Sequence, residues 1–250
     1  MARRPNPVYC GIDTTDLAWA TRLIQMIASG PDPAVGGIKL GLEFYLANGA
    51  PGVRQAFPQP MRAAGVGFFL DLKLHDIPNT VAGGVRAVAE LEPTYITVHA
   101  AGGHAMMKAA AEEAGAQAAK RNIIRPKLLG VTVLTSLDRE DLRATGVAAD
   151  PSERVLRLAA LARASGLDGV VCSPHEIAPL RRQFGPDFVL MVPGIRPSGA
   201  SVGDQKRVMT PREAVALGAT HIVVSRPIYQ AADPRAAALA IARESGVEGA

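Results

Sequence analysis

The chain reads as an α/β protein, a closed (β/α)₈ TIM barrel forming one domain over residues 1–250. Short apolar runs alternate with longer helical patterns from end to end, and eight such runs are present. A length of 250 residues is typical of one such barrel. No glycine-rich fingerprint follows the first apolar run, where Gly11-Ile12-Asp13-Thr14-Thr15-Asp16 stands, which disfavours the competing architecture of a doubly wound open sheet.

The first strand is expected over residues 8–12, with a helix over 16–28 behind it. Residues 37–40 form the second, and the connection 41–62 has a helical pattern interrupted by Pro51-Gly52 and Pro58. The third covers 67–73, a short apolar run ending in charge, and Pro78 suits the first turn before a helix over 80–91. Strand 95–99 leads to helix 103–120, and strand 128–134 to helix 151–165. Strand 169–173 precedes helix 175–184, and strands 188–192 and 221–225 precede helices over 211–217 and 234–243. No linker or sequence repeat beyond this alternation divides the chain.

Composition narrows the function. Aromatics are only 4%, while Ala, Val, Leu and Gly are plentiful, the aliphatic core expected when helices cover a parallel sheet. The net charge of +4 comes from scattered arginines, with no basic stretch interleaved with aromatics, so nucleic acid is not the expected partner. A mildly basic balance suits an anionic small substrate. Cys10 and Cys172 lie in apolar, strand-like contexts without partners at metal or redox spacing, and read as buried free thiols of a reducing compartment. The N-terminal Arg3-Arg4 pair is followed by no apolar stretch, and nothing approaches a membrane span, so a cytoplasmic protein is expected.

Polar and charged residues gather where strands end: Asp13, Lys39, Asp71, Lys73, His99, Thr135, Arg196 and Arg226. In a barrel those ends share the rim on which active sites are built. The run Asp71-Leu72-Lys73-Leu74-His75-Asp76-Ile77-Pro78-Asn79-Thr80 is the most informative. Residues two apart on a strand share a face, so Asp71 and Lys73 project together. An acid and an amine at the end of an apolar strand are costly unless paired or used. A plain salt bridge would explain Asp71 alone, but not the whole block.

Phosphate is expected across the rim. Val192-Pro193-Gly194-Ile195-Arg196 ends the seventh strand and Val224-Ser225-Arg226-Pro227 the eighth, the two loops that commonly hold phosphate in barrels. Arg226 is placed for a charge-assisted contact. The long segment 197–208, with Gln205 near its end, reads as a lid over that phosphate, a surface loop being the alternative. His75 is expected in a supporting role, and His99 either lines the mouth or sits satisfied on the rim. His104 and His175 read as helix starts. No pair of histidines has zinc spacing with a carboxylate.

Together these residues resemble the orotidine 5′-phosphate decarboxylase family along essentially the whole chain. The resemblance is carried by Asp13, Lys39-Leu40-Gly41, the Asp71–Thr80 block, Val98-His99-Ala100-Ala101-Gly102-Gly103, Leu134-Thr135-Ser136, Val171-Cys172-Ser173, Pro193-Gly194-Ile195-Arg196 and Arg226-Pro227-Ile228. It implies decarboxylation of orotidine 5′-phosphate to UMP without metal or cofactor. Lys39, Asp71, Lys73 and Asp76 would form an alternating charge network, with Lys73 donating a proton to C6. Asp76 and Thr80 would reach the neighbouring subunit's site, making a homodimer with shared active sites. Asp13 and Lys39 would contact ribose hydroxyls, Thr135 the pyrimidine edge, and Arg196, Gln205 and Arg226 the phosphate side. Ser225 stands where the family usually has glycine, a residue free to adopt positive φ and admit close backbone approach.

Two rivals remain. Related sugar-phosphate barrels share the Asp-x-Lys-x-x-Asp core but use its carboxylates to hold Mg²⁺; small residues usually follow their second aspartate, where this chain has Ile77-Pro78-Asn79-Thr80. A silent nucleotide-binding protein on the same scaffold would be expected to lose Lys73 or an aspartate, and both are kept.

Overall fold

The computed structural model describes residues 5–198 and 209–247. Eight parallel strands close into a barrel in chain order, the last pairing back to the first, which excludes the open sheet. They are β1 (Val8–Ile12), β2 (Gly37–Gly41), β3 (Gly67–Leu74), β4 (Tyr95–His99), β5 (Lys127–Val131), β6 (Gly169–Val171), β7 (Val189–Val192) and β8 (His221–Val224). Around them run α1 (Leu17–Ala28), α2 (Leu42–Ala56), α3 (Gln59–Ala63), α4 (Pro78–Val88), α5 (Gly103–Arg121), α6 (Arg139–Ala144), α7 (Pro151–Ala164), α8 (Ile177–Phe184), α9 (Pro211–Ala216), α10 (Arg226–Tyr229) and α11 (Pro234–Glu244).

Helix starts are written locally. Asp150-Pro151, Thr210-Pro211 and Asp233-Pro234 each place a side-chain acceptor at the N-cap and proline in the first turn, and each acceptor takes a first-turn backbone N–H. Helix α2 kinks at Gly49, whose φ of 60° leaves the helical region just before Pro51. Two short helices were not anticipated: α6, inside what reads as a loop, and α10, which begins directly after β8.

Two layers of apolar side chains alternate along the strands. The outward set, such as Val8, Cys10 and Ile12 on β1, packs under the helices. The inward set, Tyr9, Phe69, Tyr95, Leu129, Val189, Met191 and Val223, plugs the barrel interior. Burying a ring such as Phe69, 1% exposed, stabilises the fold by about 1.5–3 kcal/mol. Tyr9 fits because its neighbours are glycines: a Cβ at Gly67 would lie 2.0 Å from its hydroxyl, and one at Gly37 2.2 Å from its ring. Tyr9 and Tyr95 meet edge-to-face, and Tyr95 Oη lies 2.8 Å from His221 Nε2.

Several strand ends differ from expectation. Strand β5 stops at Val131, not residue 134, and just beyond its end the Thr132 hydroxyl donates to the Val171 carbonyl. Strand β6 stops at Val171, and Ser173 instead opens a 3₁₀ turn closed by Glu176, whose carboxylate accepts from the Ser173 N–H at 2.7 Å. Helix α4 begins at Pro78 rather than residue 80 and tightens into a 3₁₀ turn over Ala89–Leu91.

Candidate active site

Above the aromatic plug, the same inward positions carry charge. Two residues beyond Tyr9 and Gly37 on their strands come Gly11 and Lys39, and two beyond Phe69 comes Asp71. The Lys39 and Asp71 side chains open into a cavity of about 300 Å³ at the C-terminal rim. Phe69, Val131, Val171 and Val223 form its apolar floor, while Asp13, Lys39, Asp71 and Lys73 line one side. Arg196, Ser225, Arg226, Tyr229 and Thr135 line the rest, with Cys172 and the Pro193-Gly194 backbone between.

The acidic and basic groups form an alternating line. Lys39 Nζ lies 3.1 Å from Asp13 Oδ1 and 3.8 Å from Asp71 Oδ2, and Lys73 Nζ lies 2.7 Å from the same Asp71 oxygen. Burial alone would push the Asp71 carboxyl up, but the two ammonium groups and the hydrogen bonds from Lys73 and Thr97 outweigh it and hold the carboxyl below its ordinary value. Burial likewise works against the Lys39 ammonium, and Asp71 and Asp13 reverse it, leaving its pKa raised. Both groups are therefore charged at neutral pH, fixed before any substrate arrives.

Strand β3 brings Asp71 and Lys73 together by a route simple alternation does not describe. Leu70 pairs with Ile96 and Leu74 with Val98, so three residues of β3 face the single Thr97 of β4. The surplus is taken up at Lys73, whose φ of 51° is left-handed, a conformation costing a non-glycine residue about 1–2 kcal/mol. Thr97, fully buried, fills the bulge: its hydroxyl donates to Asp71 Oδ1 at 2.9 Å and accepts from the Lys73 N–H at 2.9 Å. Thr97 was not among the expected site residues, although an inward hydroxyl in the apolar run Tyr95-Ile96-Thr97-Val98 was a signal that could have found it.

Of the sequence-predicted residues, Asp13, Lys39, Asp71, Lys73, Thr135, Arg196, Ser225 and Arg226 all line this one cavity. Asp76 and Thr80 do not: both are exposed, outside the cavity of their own chain, and Asp76 Oδ1 accepts from the Ile77 N–H at 2.6 Å. Beside them Ile77 is 65% exposed. Gln205 and most of the expected lid over residues 197–208 lie outside the described residues. Ser225 sits at φ −114°, so this position needs no positive φ. Its hydroxyl occupies space left by Gly11, where a Cβ would come within 2.3 Å of Ser225 Oγ. His75 is exposed and lies beside His99, ring centroids 5.2 Å apart and planes tilted by 32°, and neither ring lines the cavity. His104, at the start of α5, meets the Ser165 hydroxyl through Nδ1 at 2.9 Å. Among the described residues, no group of three or more His, Cys, Asp or Glu side chains is arranged to hold a metal ion. Among them, too, no helix is long and apolar enough to cross a membrane.

Known proteins share this framework. The sequence model of the orotidine 5′-phosphate decarboxylase / HUMPS family matches residues 7–241. The orotidine 5′-phosphate decarboxylase of Gluconobacter oxydans is 54% identical over 244 residues, covering 98% of each chain. That of Rhodospirillum rubrum is 53% identical over 239 residues, covering 96% of this chain and 94% of the relative. The crystal structure of orotidine 5′-phosphate decarboxylase from Lactobacillus acidophilus superposes with a TM-score of 0.82 at 37% identity, over 96% of this chain and 99% of that one. A closed barrel, a charged rim and this likeness along nearly the full length have one common explanation: the chain belongs to the orotidine 5′-phosphate decarboxylase / HUMPS family.

Proposed function

We propose that this chain converts orotidine 5′-phosphate to UMP and carbon dioxide, the decarboxylation that completes UMP synthesis, without metal or cofactor. The observation that carries this reading is the Asp13–Lys39–Asp71–Lys73 line across a cavity whose other side holds Arg196 and Arg226. The bond from C6 to the carboxylate breaks and its electron pair stays on C6. The Lys73 ammonium stabilises that charge and then gives it a proton, and solvent returns the proton to the amine. Asp71 faces the departing carboxylate and keeps Lys73 oriented.

Substrate grip is divided around the rim. Asp13 and Lys39 take the ribose hydroxyls and Thr135 the pyrimidine edge. Arg226, Arg196, Ser225 and Gln205 take the phosphate. Binding energy from that remote group is spent on orienting the substrate at the reacting carbon. Asp76 and Thr80 serve the site of a second copy, so the working unit is a cytoplasmic homodimer with shared sites. Their exposure beside the apolar Ile77, away from their own cavity, supports this.

The test is UV-monitored loss of orotidine 5′-phosphate, with EDTA present and Lys73→Ala alongside. Conversion to UMP that ignores EDTA and disappears in the variant supports the proposal. Activity on a sugar phosphate that needs Mg²⁺, with none on the nucleotide, would assign the chain to the other branch named in its family. For the shared site, Lys73→Ala and Asp76→Ala subunits are mixed: activity should return in the heterodimer, and no recovery despite proven subunit exchange would refute it.

A further inference from the structure

We propose that Thr97 is a positioning residue of this site: its one hydroxyl sets both the Asp71 carboxylate and the bulged backbone that aims Lys73. The proposal deepens the decarboxylase reading and rests on it.

Hydrogen-bond chemistry leaves the hydroxyl a single arrangement. The Lys73 N–H can only donate and an ionised carboxylate can only accept. Thr97 Oγ1, 2.9 Å from each, therefore accepts from Lys73 and spends its only proton on Asp71 Oδ1. The other carboxylate oxygen, Oδ2, is left for the ammonium of Lys73 at 2.7 Å and of Lys39 at 3.8 Å. One buried atom thus fixes the rotation of Asp71 and anchors the left-handed residue whose side chain meets it.

Register explains why the anchor must come from β4. The ladder between β3 and β4 lapses from Leu70 to Leu74, so the Lys73 N–H has no strand carbonyl opposite it. Without that hydroxyl the donor would lose its protein partner; satisfied by a side chain, it holds the bulge in one geometry. Valine has threonine's shape and neither hydrogen-bonding capacity, whereas serine keeps both.

Kinetics of Thr97→Val and Thr97→Ser on orotidine 5′-phosphate separate positioning from packing. Thr97→Val should lose about 10- to 100-fold in kcat, the loss expected when a hydrogen bond to a charged group is removed, with KM little changed. Thr97→Ser should stay close to wild type. In Thr97→Val the acid limb of the kcat/KM profile should move to higher pH, because Asp71 loses a bond that favours its ionised form. A loss shared equally by the serine variant, an unmoved acid limb, or a valine variant as active as wild type would each overturn the proposal. Should Thr97→Val not fold, Thr97→Ala against Thr97→Ser poses the same question of the hydroxyl. An inactive wild-type protein would instead sink the decarboxylase reading, and is distinguished from these outcomes because it is measured first.

Discussion

The two ends of the barrel interior bury ionisable groups to opposite effect. At the N-terminal end Tyr9, Tyr95 and His221 are packed ring against ring, and burial keeps them neutral: His221 is pushed down to about 4 and Tyr95 up to about 12. At the C-terminal end Asp71 is as deeply placed, 7% exposed, yet stays charged because Lys39, Lys73 and Thr97 surround it. Desolvation acts on both ends, so the neighbours decide which buried groups keep their charge. The plug is held neutral by burial, and the rim is held charged by its pairing.

The sharpest way to break that contrast is to neutralise one group at each end. Asp71→Asn should lower kcat by about 10²- to 10³-fold, the scale of losing one preorganised electrostatic partner. Tyr95→Phe, in the plug, should leave kcat nearly unchanged while lowering the melting temperature. Steady-state kinetics beside thermal melts separates the two, and equal loss of activity from both substitutions would dissolve the distinction.

Acid provides the next test. Below its ordinary value of 6.5, His221 in the unfolded chain binds a proton that the folded protein refuses down to about 4. The unfolded state holds more protons in that window, so stability is complete above about pH 6.5 and falls as pH drops toward about 4, by about 3 kcal/mol in all. Asp71 acts in the same direction but lower, because its carboxyl is held below the ordinary aspartate range and its contribution goes only as pH falls through that depressed value. Replacing both Tyr95 and His221 by Phe removes the hydrogen-bonded pair together. Denaturant titrations of that double variant should show a flatter pH dependence between about pH 6.5 and about pH 4. An unchanged slope would assign the acid sensitivity elsewhere.

Smaller effects probe the packing of each end. Gly67→Ala drives a methyl against the Tyr9 hydroxyl and should cost about 1–3 kcal/mol, part of it restored by Tyr9→Phe. Ser225→Gly, at the rim, removes a side chain that sits in the space left by Gly11 and should change stability by less than about 1 kcal/mol. Its readout is KM for the phosphorylated substrate: a rise marks the hydroxyl as a contact, and no change marks it as filler.

Much of this was legible along the chain, and for a definite reason. Strands of a parallel barrel alternate inward and outward side chains, and the rim lies at their C-terminal ends. Asp13, Lys39, Asp71, Lys73, Thr135, Arg196 and Arg226 could therefore be placed on one rim from strand boundaries alone, and they line one cavity together, while His99, placed by the same rule, does not line it. Errors of a few residues at the ends of β5 and β6 did no harm, because a loop leaving a strand stays on the same rim. Thr97 left only a faint trace, a hydroxyl in an apolar run, and the helix α6 left none. Thr97 looks like any polar residue of a half-buried strand until β3 is laid beside it.

Local order along the chain determined the number of strands, their succession and the charged positions at their ends, since period-two alternation and turn chemistry are properties of neighbouring residues. The bulge at Lys73, the hydroxyl that fills it and the neutrality of His221 were decided only by the closed barrel. Each depends on the register of one strand against another, or on water excluded by residues far away in sequence, and neither quantity is written in any short stretch of chain.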